Sequence, residues 1–467
     1  MNHSPRDHSG REAFSRASGR ERLELSAENE HAPRELRTWH DRFAASRLTA
    51  LLKERTHVKF RDLGSQRHET EKSQARSLVE EMAAAGALAR LPALANRLGQ
   101  AAAIAGESSA SVTCFAQAAQ GLPCGSARSV VLQNLVLVQL DRRDNAGALG
   151  TLAELARCAP LDMPLPADRY EIERPLGLST FGMVFLCREL DTGRRVVVKS
   201  PPDSLPGKLP VLHEADILRR FVHSGVPGCL GQGFVDPSRE RRPYYVIEWF
   251  DGLSLHEYVA RFGPLSWANL QTLLTRLVET LRALHAQGVI HSDLKPGNVL
   301  VRCDHDGWQV KVIDFGIAVL ADDPSAALVP NQPRPFTLGF GAPEQQGQSD
   351  QQRLTTAADL YAIGRTILFC LCGQPDPPPG QRDLLPAGLA SLVAGCLAID
   401  PNLRPSADEL LQQLEALPAP DGPPRFPSTH LTAGTNHPSR DPGTHSSGSQ
   451  IPGEDTRMPP RPPLTGP

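Results

Sequence analysis

Three prolines fall within the seven residues Pro160-Leu-Asp-Met-Pro-Leu-Pro166, and the chain reads differently on either side of them. Proline lacks a backbone N–H and fixes its own φ, so no helix runs through this stretch. On the amino-terminal side, Thr70 to Pro160 is rich in alanine and leucine with glycine and proline only at intervals, the pattern of successive helices joined by short turns. On the other side the pattern shifts to short β-branched runs. Tyr170 to Leu176, Met183 to Glu189, Arg195 to Lys199 and Tyr244 to Trp249 read as strands, with a helix from His213 to Phe221 among them. Helical patterns dominate after Leu255. The expected organisation is an α-helical region at 36–160, a linker at 161–167 and an α+β domain at 168–417.

The flanks carry less pattern. Residues 1–35 are polar and charged, a composition that cannot bury enough surface to offset its ordering entropy, and 418–467 are loaded with proline, glycine, serine and threonine. Both are expected to be disordered. Leu36, Trp39, Phe43, Leu48, Leu51 and Leu52 recur at helical spacing and predict one amphipathic helix from about Leu36 to Leu63. Further on, Leu98, Gly99, Gly106, Ser111, Phe115, Ala118 and Pro123 give small residues for close helix packing, an aromatic knob and a closing proline. Leu135, Ala148, Leu152, Leu155 and Pro160 repeat much of this at slightly more than the roughly 34-residue period of tetratricopeptide repeats, which the segment resembles. A plain helical bundle rich in alanine would show much the same pattern. A true repeat array would offer a groove for a partner protein.

A net charge of -3 gives no basic character that would point to nucleic acid or an anionic membrane. The nine cysteines are scattered, and Cys370 and Cys372 lack the two-residue gap of a redox or zinc motif, so they are expected to be small buried hydrophobes in a reducing compartment. No signal-peptide core occurs at the amino terminus, and no apolar run approaches the roughly 20 residues that span a bilayer. The expectation is a cytoplasmic protein.

Chemistry concentrates in His291-Ser-Asp-Leu-Lys-Pro-Gly-Asn-Val-Leu300. Asp293 can orient a hydroxyl and accept its proton, Lys295 can sit beside a departing phosphate, and Asn298 can hold a magnesium ion. An ordinary polar turn remains the competing reading of this stretch. Gly177-Leu-Ser-Thr-Phe-Gly182-Met-Val184, between two predicted strands, would let backbone amides approach a triphosphate while Val184 roofs an adenine, though a two-glycine hairpin is often a mere turn. Lys199 ends the run Val196-Val-Val-Lys and would bind phosphates beneath that loop if a carboxylate held it. Glu214, on a helix whose Ala215, Ile217 and Leu218 form an apolar face, is the candidate. Asp314-Phe-Gly316 follows the apolar run Val310 to Ile313, and Asp314 would chelate magnesium.

Taken together and in order, these motifs resemble a eukaryotic-type serine/threonine protein kinase. The further matches are Ala342-Pro-Glu344, Asp359-Leu-Tyr-Ala-Ile-Gly364 and Asp400-Pro-Asn-Leu-Arg404-Pro, and the likeness covers roughly residues 168 to 417. The resemblance implies a bilobal fold, with an antiparallel sheet and one helix at 168–250 and a mostly helical lobe at 251–417. It implies ATP and Mg2+ as cofactors and protein substrates. By the same resemblance Asp293 is the acid/base, Lys295 stabilises the transferring group, Lys199 and Glu214 form the phosphate clamp, and Asn298 and Asp314 hold the metal. Glu248 to Phe250 would bond adenine, Ile247 would guard the pocket and Leu300 would floor it. Glu344 should pair with Arg404, and Asp359 should brace the catalytic loop. Lys295 and Thr337-Leu-Gly-Phe mark the serine/threonine form.

Three positions depart from the pattern. Ser179 replaces the middle glycine of the loop, Val197 replaces an alanine over adenine, and Ser292 stands where the family usually has an arginine that reads a phosphate on the activation segment. The last departure implies activity without that phosphate. A pseudokinase scaffold and a small-molecule kinase are the competing functions. The full set Lys199, Glu214, Asp293, Asn298 and Asp314 argues against the first, and Ala342-Pro-Glu344, which serves a peptide platform, against the second.

Overall fold

The computed structural model describes residue 28 and residues 31–54, 69–179, 182–200, 209–304, 307–323, 326–328, 334–347, 353–382, 385 and 387–418. Of the expected disordered tail at 418–467 all but Pro418 lies outside them, as do residues 1–27, 29 and 30 of the expected disordered segment at 1–35, whereas Arg34 and Glu35 open a helix. The predicted helix from Leu36 to Leu63 is instead two helices, α1 (Arg34–Ala44) and α2 (Leu48–Glu54). Between them the Ser46 hydroxyl donates to the Phe43 carbonyl at 2.6 Å and competes with the helical ladder. Residues 55–63 of that prediction fall outside the described set.

The alanine-rich stretch forms α3 (Glu69–Ala84), α4 (Ala87–Arg90), α5 (Pro92–Ala105), α6 (Ser108–Gln120), α7 (Ser126–Asp141) and α8 (Asn145–Cys158). Helices α5 with α6, and α7 with α8, make two helical hairpins. The first closes tightly because position 99 carries no side chain: a Cβ on Gly99 would sit 2.8 Å from the Phe115 ring. The Ser111 hydroxyl donates to the Gly99 carbonyl at 2.8 Å across the same contact. In the second hairpin the Thr151 hydroxyl donates to Gln139 Oε1 at 2.9 Å. The antiparallel course of α7 and α8 brings Cys158, at the end of α8, back to Cys124, just before α7, and the two pair as a disulfide. That corrects the expectation of nine unpaired thiols. The other seven are not disulfide-bonded.

Strands β1 (Tyr170–Ser179), β2 (Gly182–Glu189), β3 (Arg195–Ser200), β4 (Cys229–Asp236) and β5 (Arg241–Glu248) form one sheet in the order β1-β2-β3-β5-β4, with α9 (Leu209–Arg220) between β3 and β4 in the chain. All of its pairings are antiparallel. The two faces of this sheet serve different cores. Met183, Phe185 and Cys187 on β2, Val196 and Val198 on β3, and Tyr244 and Val246 on β5 join the core built by α3 to α8. Met163 and Leu165, from the proline-rich stretch, are buried in that same core. Tyr245, one residue out of phase, faces the other way and packs with Ala215, Ile217 and Leu218 of α9. The period of two along a strand produces this division.

The second lobe is mostly helical: β6 (Leu253–Ser254), α10 (Leu255–Phe262), α11 (Trp267–Ala286), β7 (Val289–Ile290), β8 (Val299–Asp304), β9 (Gly307–Val312), β10 (Val319–Leu320), α12 (Ala357–Cys372), α13 (Pro379–Arg382), α14 (Ala387–Cys396) and α15 (Ala407–Ala416). Ser254 and Ser406 cap α10 and α15 with complete capping boxes to Glu257 and Glu409. No described helix is long and apolar enough to cross a membrane.

Candidate active site

The site lies where the sheet lobe meets the β7–β8 connection. Lys199, in β3, points inward with its ammonium 2.9 and 2.7 Å from the two carboxylate oxygens of Glu214 and 2.7 Å from Asp314 Oδ1. Residues far apart in the chain thus meet in one cluster. Burial of the lysine would push its pKa down, but the facing charges of Asp314 and Glu214 outweigh it and hold it above the ordinary value. Burial likewise works to raise the Asp314 pKa, and Lys199, with smaller help from Lys295 and His291, holds it below the usual carboxylate range. Asp314 sits at φ 68, a left-handed conformation that turns its carboxylate toward Lys199 while the following Phe315 N–H donates to Glu214 Oε1 at 3.0 Å. Tyr245, fully buried behind this cluster, has its pKa pushed well up by burial and by Glu214.

The residues expected to form the catalytic loop converge a short way along. Lys295 Nζ lies 2.6 Å from Asp293 Oδ2 and donates to the Thr337 hydroxyl at 2.6 Å, and that hydroxyl donates to Asp293 Oδ1 at 2.6 Å. Asn298 donates its amide nitrogen to the Asp293 carbonyl at 2.9 Å and to its Oδ2 at 3.3 Å. The acid is therefore held on both oxygens. His291 fixes the loop from behind, accepting from the Asp293 N–H on Nδ1 at 3.3 Å and donating from Nε2 to the Ile313 carbonyl at 3.0 Å. Asp359 accepts from the N–H groups of His291 and Ser292, each at 2.9 Å, and from His285 Nε2 at 2.9 Å. Burial acts to raise the Asp359 pKa, but the bond and charge of His285, with His291 behind them, hold it below the usual range. In the lower lobe the Arg404 guanidinium meets both oxygens of Glu344 at 2.7 and 2.9 Å with both side chains fully buried.

The residues expected to face a nucleotide lie along the sheet and the connection below it. Gly177 adopts φ 129, open to glycine alone, opposite Val184, while the Ser179 hydroxyl donates to the Gly182 carbonyl at 3.2 Å and closes the hairpin end. Thr180 and Phe181, at its tip, lie outside the described residues. Val184 pairs across to Lys199. Glu248 ends β5, its N–H donating to the Gly228 carbonyl at 3.0 Å and its carboxylate accepting from the Gly228 N–H at 3.1 Å. Phe250 is buried beneath the Arg302 guanidinium, and Leu300 is half-buried on β8, paired with Lys311 and Ser254.

Because the Asn298 nitrogen is bonded to Asp293, its amide oxygen is the atom left for a cation. With an Asp314 carboxylate it makes a hard, all-oxygen donor pair of the kind magnesium takes when phosphates complete its shell. The described residues contain no group of three histidine, cysteine or acidic side chains able to hold a metal unaided. The donor set therefore fits a nucleotide-bound magnesium ion.

Two participants had no local signal in the sequence. Tyr245 is hidden in the apolar run Tyr244 to Ile247, and Gln345, buried beside Glu344, looks like any polar residue after a turn; only its bonds, described below, reveal it.

An antiparallel five-stranded sheet with one helix, a helical second lobe, and a clamped lysine and acid between them make up a bilobal architecture. Residues 170–384 match the family model of the protein kinase domain. The chain is 32% identical over 285 residues to a probable serine/threonine-protein kinase, PkwA, of Thermomonospora curvata, covering 56% of this chain and 36% of that protein. It is 28% identical over 279 residues to the serine/threonine-protein kinase PkaA of Streptomyces coelicolor, covering 54% and 50%. It is 32% identical over 267 residues to the serine/threonine-protein kinase Pkn1 of Myxococcus xanthus, covering 50% and 36%. The alignments span between about a third and a half of these relatives' length. The chain carries a eukaryotic-type serine/threonine protein kinase domain.

Proposed function

We propose that the protein transfers the γ-phosphate of ATP to serine or threonine hydroxyls of protein substrates, with magnesium bound at Asn298 and Asp314. The observation that carries this reading is the meeting of Lys199, Glu214 and Asp314, three residues from separate motifs, in one buried clamp at 2.7 to 2.9 Å. In this reading Lys199 binds the α- and β-phosphates, and the hinge at Glu248 to Phe250 bonds adenine between Val184 above and Leu300 below. Gly177, Ser179 and Gly182 cover the phosphates. Asp293 orients the substrate hydroxyl and accepts its proton, and Lys295 stays beside the transferred group. The magnesium ion would neutralise phosphate charge when bound; every proton movement belongs to Asp293.

Two finer points belong to the same proposal. With Ser292 in place of the phosphate-reading arginine, the chain works without a phosphate on its activation segment; Ser325, the candidate acceptor there, lies outside the described residues. The helical hairpins of the 36–160 region, similar in pattern to tetratricopeptide repeats, serve as a site for a partner protein, with the kinase domain at 168–417.

The test is phosphate transfer from labelled ATP with magnesium to the protein itself and to casein, comparing wild type with Asp293→Asn and Lys199→Met. Each substitution should cost about 3 kcal/mol or more, at least a hundredfold in rate. Equal signal in all three proteins would leave only a binding role for the fold.

A further inference from the structure

Gln345 is a polar side chain, 2% exposed, in a place where nothing in the catalytic chemistry requires one. Its amide nitrogen donates to the Ser292 carbonyl at 2.7 Å, and its amide oxygen accepts from the Ala342 N–H at 3.0 Å. Its backbone carbonyl accepts from the Arg334 N–H at 2.8 Å. One residue therefore touches the catalytic loop immediately before Asp293, the Ala342-Pro-Glu344 turn, and the segment leading to Thr337. Ser292 itself sits at φ 67, and its N–H is held by Asp359 at 2.9 Å, so its carbonyl has a fixed direction. A neutral amide spans the two segments, bonding both with no charge of its own.

We propose that Gln345 is a positioning residue: its amide joins the Ser292 carbonyl to the Ala342 N–H and so holds the substrate-facing segment around Thr337 against the catalytic loop in the unphosphorylated chain. The inference rests on the phosphotransferase reading of Asp293. It explains how Thr337 reaches Asp293 and Lys295 with no arginine at position 292 to draw the segment in. A buried amide with both ends bonded is costly to disturb, because each lost partner leaves a desolvated group behind.

The experiment uses the full chain, phosphatase-treated, with casein as acceptor. Gln345→Leu keeps the size and removes both bonds; Gln345→Glu keeps the acceptor for Ala342 but turns an oxygen toward the Ser292 carbonyl. Both should lower kcat/KM for casein by about tenfold to a hundredfold near pH 8, with nucleotide binding, read by a fluorescent ATP analogue, within about threefold of wild type. The Gln345→Glu protein should then regain about fivefold or more relative to wild type at pH 6. Burial raises the pKa of the introduced carboxyl, and its protonated form can donate to Ser292 again. Asp293 and Asp359 line the same hollow, and the wild-type ratio at each pH cancels their titration. The Leu variant should show no such recovery, since a packing defect does not titrate. Rates within threefold of wild type for both variants, or a Gln345→Glu loss that stays flat between pH 8 and pH 6, overturn the inference. An inactive wild type, by contrast, overturns the phosphotransferase reading beneath it.

Discussion

Removing one hydroxyl should separate the chemistry of this site from its nucleotide binding. The Thr337 hydroxyl donates to Asp293 Oδ1 at 2.6 Å and accepts from Lys295 Nζ at 2.6 Å. Asp293 Oδ2 has Lys295 and Asn298 as donors, whereas Thr337 alone among the described contacts serves Oδ1. Thr337→Val replaces the hydroxyl by a methyl of nearly the same size, so the fold should tolerate it. The loss is one bond to a carboxylate and one from an ammonium. A hydrogen bond to a charged group contributes about 1.5 to 3 kcal/mol, and because the direct Lys295 to Asp293 contact survives, the net loss is taken as that of a single such bond. That corresponds to a fall of about 10- to 150-fold in rate. The loss should appear in kcat with casein, leaving the KM for ATP nearly unchanged, because the hydroxyl touches the acid and not the Lys199 clamp. Thr337→Ser, which keeps the hydroxyl, should stay within about threefold of wild type. If Thr337→Val matched wild type in kcat, or lost activity only through the KM for ATP, the assignment of Thr337 as a brace for Asp293 would be wrong.

Arg404→Met should destabilise the protein more than Glu344→Gln, because the guanidinium also donates to the carbonyls of Ala398, Ala357 and Ile399. Breaking a buried pair costs about 3 to 5 kcal/mol, and urea denaturation should put the arginine variant at the upper end or beyond. Asp359 supplies a pH signature. Its folded pKa is depressed, so its contribution to stability is complete above the usual carboxylate value of about 4 and is lost as pH falls through the lower folded value. Wild type minus Asp359→Asn stability, measured by denaturant titration, should shrink as pH falls below about 4. Gly99→Ala should raise the unfolding rate through overpacking against Phe115 by about 1 to 3 kcal/mol, despite alanine's better helix propensity; unchanged unfolding kinetics would contradict the close packing.

The legible parts of this chain were those whose chemistry dictates residue type. An ammonium, three carboxylates and an amide in order over Lys199 to Asp314 left few folds to consider, and the β-branched runs marked four of the five strands of the first sheet. Strand β4 was not legible. Its Gly231, Gln232 and Gly233 carry no β-branched signal, and it forms because β5 offers it a ladder. The break between α1 and α2 has no glycine or proline to announce it. Gln345 was missed for a deeper reason: burial of a single amide depends on two segments arriving from different parts of the chain, which no local pattern records. The disulfide between Cys124 and Cys158 was missed likewise, since the hairpin geometry of α7 and α8, and not their spacing, brings the sulfurs together.

The two-faced character of the first sheet sets a limit on where the kinase domain can be cut. Phe185, Val196 and Val198 are fully buried and Val246 is 2% exposed, on the face that shares its core with α3 to α8, Met163 and Leu165. Fully exposing such side chains costs about 1.5 to 3 kcal/mol each. Strand neighbours would still shield part of each one, so half that value, roughly 3 to 6 kcal/mol for the four, is a fair sum. A domain's whole stability is only about 5 to 15 kcal/mol. Asp162 adds polar anchorage to the same joint, accepting from the Ser129 hydroxyl and from Arg242 at 3.3 Å. A chain beginning at residue 168 should therefore melt well below one beginning at residue 31, or aggregate through the exposed apolar face, although both contain every residue assigned to catalysis. Equal melting temperatures for the two would mean that the helical region covers the sheet without stabilising it, and that the shared core contributes nothing to the folding of the first lobe.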